Sequence, residues 1–235
     1  FVPDPKSVPS GFNLTFIKKL PRSSIPLMVE IHWNIVDPKT SSINTEKLWK
    51  DASLIRNSNY IKELSNQHTF YMIILHGWRH NMNSLKYFLD ILQLLSTKEL
   101  DISYPKLFDD AKKECTLNRI IRTLSIVYYH FPFLDERKKL TKKKSMLTWS
   151  FENLIQPEKK SIRLYIDFID YQIFSFDLFS HSIAELITWI FPPKYYIEAE
   201  LNALNSTNNY LALYLKLVFK RLSNFFRTII LQKKH

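Results

Sequence analysis

The sequence predicts an α+β protein that is mostly helical, in which a short antiparallel β-element leads into a helical domain. Apolar residues alternate with period two up to residue 36 and recur at helical spacing after residue 44. The 235 residues include only 2 glycines, which argues against an all-β fold built on tight glycine turns. We therefore expect a β-element over residues 1–44 and a helical domain over residues 45–235.

The β-element is expected to be an antiparallel pair of strands. GFNLTFIKKL alternates apolar and polar residues, PRSSIP turns the chain, and LMVEIHWNIV (27–36) alternates again. One face of this second strand is expected to pack on the core through Leu27, Val29, Ile31, Trp33 and Ile35. The other face carries Met28, Glu30, His32 and Asn34, and the Glu30 carboxylate is expected to face an open cleft.

The helical domain begins with three capped segments. Asn44 precedes TEKLWKDA, Ser65 precedes NQHTFYMIILHGWRH, and Asn83 or Ser84 precedes LKYFLDILQLL. The side-chain oxygen of each cap can accept a hydrogen bond from a free N–H group in the first turn of a helix. YPKLFDDAKKEC and LNRIIRTLSIVYYHF predict a further pair of helices.

Two basic segments follow. The run ERKKLTKKKS (136–145) predicts an exposed or mobile loop. The chain over 209–231 predicts a long amphipathic helix, with Lys216, Lys220 and Arg227 on its basic side. Its apolar stripe is predicted to consist of Leu211, Leu215, Val218, Leu222, Phe225 and Ile229.

Charge and composition limit the classes of function. A net charge of +11 favours polyanionic partners such as nucleotides, RNA or acidic membranes, and lysines that merely solvate helix faces account for it equally well. The scarcity of glycine argues against P-loop and dinucleotide-binding motifs. The single Cys115 cannot form an internal disulfide, so we expect a reducing, cytoplasmic compartment. The sequence contains no run of about 18 uncharged apolar residues, so we do not expect a membrane span.

Glu30 is the first candidate for chemistry. A carboxylate on a strand can present a metal ligand or a general base from a rigid element; the alternative is a solvated outer face of an edge strand. Lys86 and Asp90 lie four residues apart in SLKYFLDIL. The simplest interpretation of that pair is a helix ion pair worth about 0.2–0.5 kcal/mol.

HGWRH is the second candidate motif. In a helix, His76 and His80 share one face at the spacing of a metal chelate, or they form half-buried hydrogen-bonding histidines. Gly77 occupies the position where a zincin needs glutamate, which excludes a zinc protease. The missing side chain of Gly77 is expected to allow close approach of another group, such as Trp33.

Four segments in order, IPLMVEIHWNIV, LWKDA, LSNQHTFYMIILHGWRHNMNSLKYFLDILQLL and FPPKYYI ahead of a last helix, carry a resemblance. The chain resembles the bacterial family of uncharacterised nucleotidyltransferases, a branch of the DNA-polymerase-β-type superfamily. The resemblance extends from roughly residue 10 to residue 225 and is most specific over 65–95. It identifies the β-element as the end of a nucleotidyltransferase-type sheet.

The resemblance implies transfer of a nucleoside monophosphate from a nucleoside triphosphate to an acceptor, which is a small molecule, a peptide or a protein. In this superfamily, carboxylates hold two Mg²⁺ ions: two on one strand after a Gly-Ser turn and a third on a neighbouring strand. Glu30 matches the third, as a metal ligand that helps to deprotonate the acceptor, and His32 is the second catalytic candidate. His76 and His80 match the helix histidines of the family, whose role the resemblance does not settle. Together with Lys86 and Asp90, they are the candidate substrate-binding residues.

The sequence departs from the full pattern because it contains no Gly-Ser motif and no Asp-x-Asp strand. Since it begins at Phe1 and not at Met, we expect an upstream segment to supply them; the alternative is a degenerate member that no longer catalyses. The rival function is a non-catalytic basic helical module. It would bind RNA or an anionic membrane surface through the run 136–145 and the helix 209–231.

Overall fold

The β-element is a three-stranded antiparallel sheet in the order β1 (Val2–Pro3), β2 (Asn13–Lys18), β3 (Leu27–His32). The computed structural model describes residues 2–3, 12–97, 101–155, 162–203 and 209–232. The predicted pairing of the two alternating segments is confirmed, because Asn13 lies opposite His32 and Thr15 opposite Glu30. The strand ends at His32, and the chain bends over 33–36.

Helices make up most of the described chain after residue 44, as predicted. A 3₁₀ turn (Pro38–Thr40) comes first, and a short hairpin of β4 (Ser53–Leu54) and β5 (Lys62–Glu63) separates the first two helices. The helices are α1 (Thr45–Lys50), α2 (Asn66–Arg79), α3 (Leu85–Ser96), α4 (Tyr104–Lys113), α5 (Leu117–His130), α6 (Leu134–Arg137), α7 (Glu152–Ile155), α8 (Ile162–Gln172), α9 (Phe179–Ile190), α10 (Lys194–Glu200) and α11 (Tyr210–Gln232).

Side-chain caps begin the first three helices. Asn44 accepts from the N–H of Lys47 at 3.1 Å, Ser65 from His68 at 3.3 Å, and Ser84 accepts in the same way at the start of α3. Such caps satisfy N–H groups that the helix itself leaves unpaired. The predicted starts of α1, α2 and α3 are therefore confirmed.

The apolar face of β3 is not buried, contrary to prediction. Leu27, Val29, Ile31 and Trp33 are each between 40% and 53% exposed. Asn13, on the polar face of the neighbouring strand, is only 6% exposed. Alternation distinguishes two faces of a strand, but it does not say which face the rest of the protein covers. All six residues of β3 are exposed, and the polar face of the sheet is buried only on β2, at Asn13.

The main core lies where α2 packs against α3 and α5. Phe70 and Ile74 of α2, Phe88 and Ile91 of α3, and Leu124 of α5 are fully buried. Each such side chain contributes about 1.5–3 kcal/mol relative to an exposed one. This core fixes the C-terminal end of α2, which carries HGWRH.

Gly77 lets the chain turn tightly after α2. A Cβ at this position would lie 2.7 Å from Sδ of Met82. Met82 is fully buried, has a left-handed φ of 52°, and donates its N–H to the carbonyl of Gly77 at 2.8 Å. The group that approaches Gly77 is therefore Met82, and the prediction of Trp33 was wrong.

A buried ion network ties α5 to α8. The Arg122 guanidinium donates to Asp167 at 2.6 Å and to Asp170 at 3.1 Å, and both Arg122 and Asp167 are 1% exposed. Asp167 also accepts from Thr148 at 2.9 Å and from the Asn81 amide at 2.7 Å. Asn81 belongs to the turn after α2, so the network also anchors the end of that helix.

The basic run 136–145 lies mostly outside regular structure and is largely exposed, as predicted. Its ammonium groups nevertheless contact the protein. Lys138 lies over Tyr104 at 5.4 Å, Lys142 over Phe108 at 5.3 Å, Lys143 pairs with Asp135, and Lys144 pairs with Asp170. Part of the charge of this run is thereby engaged within the molecule.

The long helix α11 is confirmed, but its predicted apolar stripe is not the buried one. Leu211, Leu215 and Leu222 are more than half exposed, whereas Leu213 and Leu217 are buried in a cluster with α10. Apolar residues occur on several faces of α11, so the pattern alone does not say which face α10 covers. The side chain of Ile229 lies outside the described residues.

Two further points concern the chain as a whole. Within the described ranges, no helix has both the length and the apolar character needed to cross a bilayer. The boundary between two domains at residues 44 and 45 stays a prediction.

Replacement of Asp167 by alanine should destabilise the fold by about 3–5 kcal/mol, because Arg122 would keep a buried charge with one partner removed. Urea denaturation monitored by circular dichroism measures the loss. Asp109→Ala on the exposed face of α4 is the matched control and should change the free energy of unfolding by no more than about 0.5 kcal/mol. Equal effects of the two changes would contradict a structural role for the network.

Candidate functional site

The site begins with a small polar group on β2 and β3. The Glu30 carboxylate accepts a hydrogen bond from the Asn13 amide and lies 3.3 Å from Nε2 of His32. The side chain of Glu30 is 44% exposed and that of His32 is 32% exposed. The cross-strand register causes this grouping, since residues opposite each other in an antiparallel pair point to the same face. Glu30 is thus oriented by two neighbours and still open to solvent.

Three rings form a second group at the C-terminal end of α2 and the start of α3. His76 and His80 lie 4.8 Å apart edge to face, which confirms that they share a helical face. The Tyr87 ring stacks on His80 at 5.2 Å with an interplanar angle of 5°, and it meets His76 at 5.4 Å. The tight turn at Met82 reverses the direction of the chain, so that the start of α3 lies against these histidines.

The two groups face each other across a polar seam, defined here as Asn13, Glu30, His32, His76, His80 and Tyr87. Burial raises the pKa of the Tyr87 hydroxyl, and the negative charges of Asp90 and Glu30 raise it further. Phe12 joins the two sides: its ring lies 6.4 Å from that of His32 and beneath the Arg79 guanidinium. The prediction that this helix face turns toward the Glu30–His32 strand is confirmed.

Both helix histidines are poor bases. Burial, followed by the neighbouring His80 and Arg79, lowers the pKa of His76 to about 4, and His32 and Lys86 act in the same direction. Burial and Arg79 also lower the pKa of His80, against the opposing charge of Glu30. At neutral pH both imidazoles are therefore uncharged, and each retains one N–H donor and one acceptor nitrogen.

The six candidate residues from the sequence lie in one region. Lys86 is exposed and close enough for its charge to act on His76, while Asp90 acts on Tyr87. The helix spacing predicted a Lys86–Asp90 ion pair, and the described residues contain no contact within 4.0 Å between the two. The roles of all six stay predictions.

Three residues of this region were not singled out from the sequence. Asn13 could have been found, because the antiparallel register places it opposite His32. Tyr87 and Arg79 follow from the path of the turn after α2, which includes left-handed Asn81 and Met82. Non-glycine residues adopt that conformation rarely, so no simple sequence signal predicts the turn.

A cleft of about 550 Å³ adjoins the seam. Phe12 and Arg79 line its near side, and the 3₁₀ turn, α9, α10 and Arg221 of α11 complete its wall. Aromatic side chains supply much of this wall: Trp78, Tyr171, Trp189, Tyr195 and Tyr196. Phe12, whose ring lies beside that of His32, and Arg79, which directly precedes His80, thus connect the seam to the cleft.

The seam fits a divalent cation only in part. Mg²⁺ prefers oxygen ligands, and the Glu30 carboxylate offers them. Among the residues that the structure describes, however, no three His, Cys, Asp or Glu side chains are grouped to hold a metal ion. These residues therefore do not form a two-metal site by themselves, and the chelation of a metal by His76 and His80 has no third ligand.

Comparison with known proteins addresses the family. The model of a family described as uncharacterised nucleotidyltransferase matches residues 17–130, which include both sides of the seam. No curated protein and no solved structure matches the chain. The resemblance that the sequence predicts beyond residue 130 lies outside the matched segment and stays a prediction. The match over residues 17–130 supports assignment of the chain to the family of uncharacterised nucleotidyltransferases.

Proposed function

We propose that this protein transfers a nucleoside monophosphate from a nucleoside triphosphate to an acceptor hydroxyl, and that the polar seam is where the transfer takes place. The match of residues 17–130 to the nucleotidyltransferase family model supports nucleotidyl transfer as the class of reaction. The observation that carries the assignment to the seam is the arrangement of Glu30, which is oriented by Asn13 and His32 and open to solvent.

In the proposed reaction the acceptor oxygen forms a bond to the α-phosphorus, the bond from that phosphorus to the bridging oxygen breaks, and pyrophosphate leaves. Glu30 is placed to receive the hydroxyl proton or to serve as one oxygen ligand of Mg²⁺. Further ligands would have to come from residues other than those described. His76 and His80, as neutral N–H donors, would bind phosphate or acceptor oxygens.

One observation favours the rival function of a basic binding module. The exposed side chains Leu211, Leu215 and Phe219 form an apolar stripe on α11, and Lys216 and Arg227 are exposed on the same helix. Such a helix is typical of binding to an anionic membrane surface. The binding-module function does not explain the polar seam, so we rank this function below nucleotidyl transfer.

Glu30→Gln should abolish Mg²⁺-dependent transfer, with a loss of at least about 10²-fold, because the amide can neither take a proton nor bind the metal as a carboxylate does. Transfer of label from α-³²P nucleoside triphosphates to acceptors in a cell extract measures activity. The matched control is Glu63→Gln, since Glu63 is also an exposed glutamate on a strand. The melting temperature should change little. A large fall in melting temperature with transfer retained would make Glu30 structural.

His80→Ala should raise the nucleotide KM or lower kcat by roughly threefold to tenfold, the worth of one neutral hydrogen bond. Steady-state kinetics measures this, and the melting temperature tests whether the stacked Tyr87 and His76 keep their places. Unchanged kinetics in a folded variant would mean that His80 only connects helix and strand and does not bind the substrate.

The histidine pair should give a defined pH dependence. Because the pKa of His76 is about 4 in the folded protein and near 6.5 when unfolded, the unfolded state binds more protons between these values. Stability should therefore fall as pH drops from about 6.5 to 4, and His76→Gln should lessen that fall when both proteins are referenced to pH 7.5. Urea denaturation across this range checks it, and an NMR titration of the His76 ring with a midpoint near 6.5 would contradict it.

A further inference from the structure

We propose that Arg79 binds the triphosphate of the nucleotide and that the aromatic cleft next to it receives the nucleoside. This inference rests on the proposed function and assigns where its substrate lies. It follows from three features of the described residues: an unengaged guanidinium, its position between seam and cleft, and the composition of the cleft wall.

The Arg79 guanidinium has unused binding capacity. It lies 4.2 Å above the Phe12 ring and is half-buried. Among the described residues, no carboxylate or other acceptor takes a hydrogen bond from this guanidinium; only the backbone carbonyl of Arg79 is engaged, by the Tyr171 hydroxyl at 2.6 Å. Arginine presents several donors in a planar fork that matches phosphate oxygens, so a stacked and unpaired arginine is suited to a phosphate group.

Arg79 stands at the junction of the seam and the cleft. It is the last residue of α2, directly before His80. Its charge acts on His76, His80 and Tyr87 on one side and on Tyr171 and Tyr196 on the other. A nucleotide bound at this junction would direct its nucleoside into the cleft and hold its α-phosphate, which joins the nucleoside to the leaving pyrophosphate, at Arg79 on the side of the seam.

The other cations of the cleft differ from Arg79. Arg221 is already paired with Glu200 at 2.7 and 3.2 Å, donates to the Trp189 carbonyl and stacks on the Trp189 ring. It forms part of the wall and has little capacity left for an anion. Lys39 is exposed at the rim of the cleft and would be a weaker, flexible second contact.

The far part of the cleft fits a base. Trp189, Tyr195 and Tyr196 line it and remain 44%, 39% and 45% exposed, so each ring keeps an exposed part on which a base can stack, although Arg221 covers one side of Trp189. Base–aromatic stacking is tolerant of base identity. Glu185 lies in the same wall, half-buried, and among the described residues it receives no hydrogen bond. Its carboxylate is thus placed to accept from an amino group of the base.

The test separates the two ends of the nucleotide. Binding of each ribonucleoside triphosphate, of inorganic tripolyphosphate and of the matching nucleoside is measured by calorimetry on the full chain, in EDTA to exclude metal. Arg79→Gln should weaken triphosphate and tripolyphosphate binding by about tenfold to a hundredfold and leave the nucleoside unchanged. Arg79→Lys should restore part of the loss. Lys113→Gln, an exposed cation on α4, is the matched control and should have no effect.

The cleft is tested with Trp189→Leu, which should weaken nucleoside and triphosphate binding about fivefold or more and spare tripolyphosphate. Melting temperatures close to that of the parent establish that each variant is folded. If the parent binds triphosphates and Arg79→Gln does not weaken them, or weakens the nucleoside equally, the inference is wrong while the proposed function stands. If the parent binds no triphosphate either in EDTA or with Mg²⁺ added, the proposed function fails with it.

Discussion

Two buried arginines on α5 hold the region together. Arg119 is fully buried between the rings of Trp78 and Phe176, at 4.6 and 4.5 Å, and donates to the carbonyl of Thr40. Burial lowers its pKa to about 10, so it stays charged at neutral pH. A buried guanidinium is costly unless partners compensate it, and these partners come from the 3₁₀ turn, α2 and the segment before α9. Arg122 applies the same constraint to α8. Thr40 and Trp78 also line the cleft. Because both contact Arg119, the burial of Arg119 determines where this part of the cleft wall lies.

The seam depends on this framework through the end of α2. Asn81 is held by Asp167, and the carbonyl of Arg79 is held by Tyr171, both from α8. These contacts determine how α2 ends and therefore where His80 and the Arg79 guanidinium lie. The sheet meets this end with its polar face, so Glu30 and His32 oppose the helix histidines. The C-terminal end of α2 thus takes part both in the buried network and in the candidate site.

Local sequence patterns predicted much of the fold and part of the candidate site. Alternation identified the β2–β3 pair, and Asn44, Ser65 and Ser84 marked the starts of α1, α2 and α3 because capping is a local effect. The exposure of the apolar face of β3 and the burial of Asn13 on β2 were not predictable, since both depend on elements distant in sequence. Tyr87 and Arg79 were missed for the same reason, because tertiary contacts shape the turn that places them.

The electrostatics of the region separate two tasks. Burial keeps His76 and His80 neutral, so near neutral pH their contribution is directional hydrogen bonding and not charge. Positive charge comes instead from the guanidinium of Arg79. That positive charge also opposes protonation of both histidines, so Arg79 helps to keep His76 and His80 neutral. An anionic substrate would then meet fixed charge at Arg79 and oriented N–H groups beside it, with Glu30 as the carboxylate across the seam. Such a division leaves Glu30 free for proton transfer or metal binding.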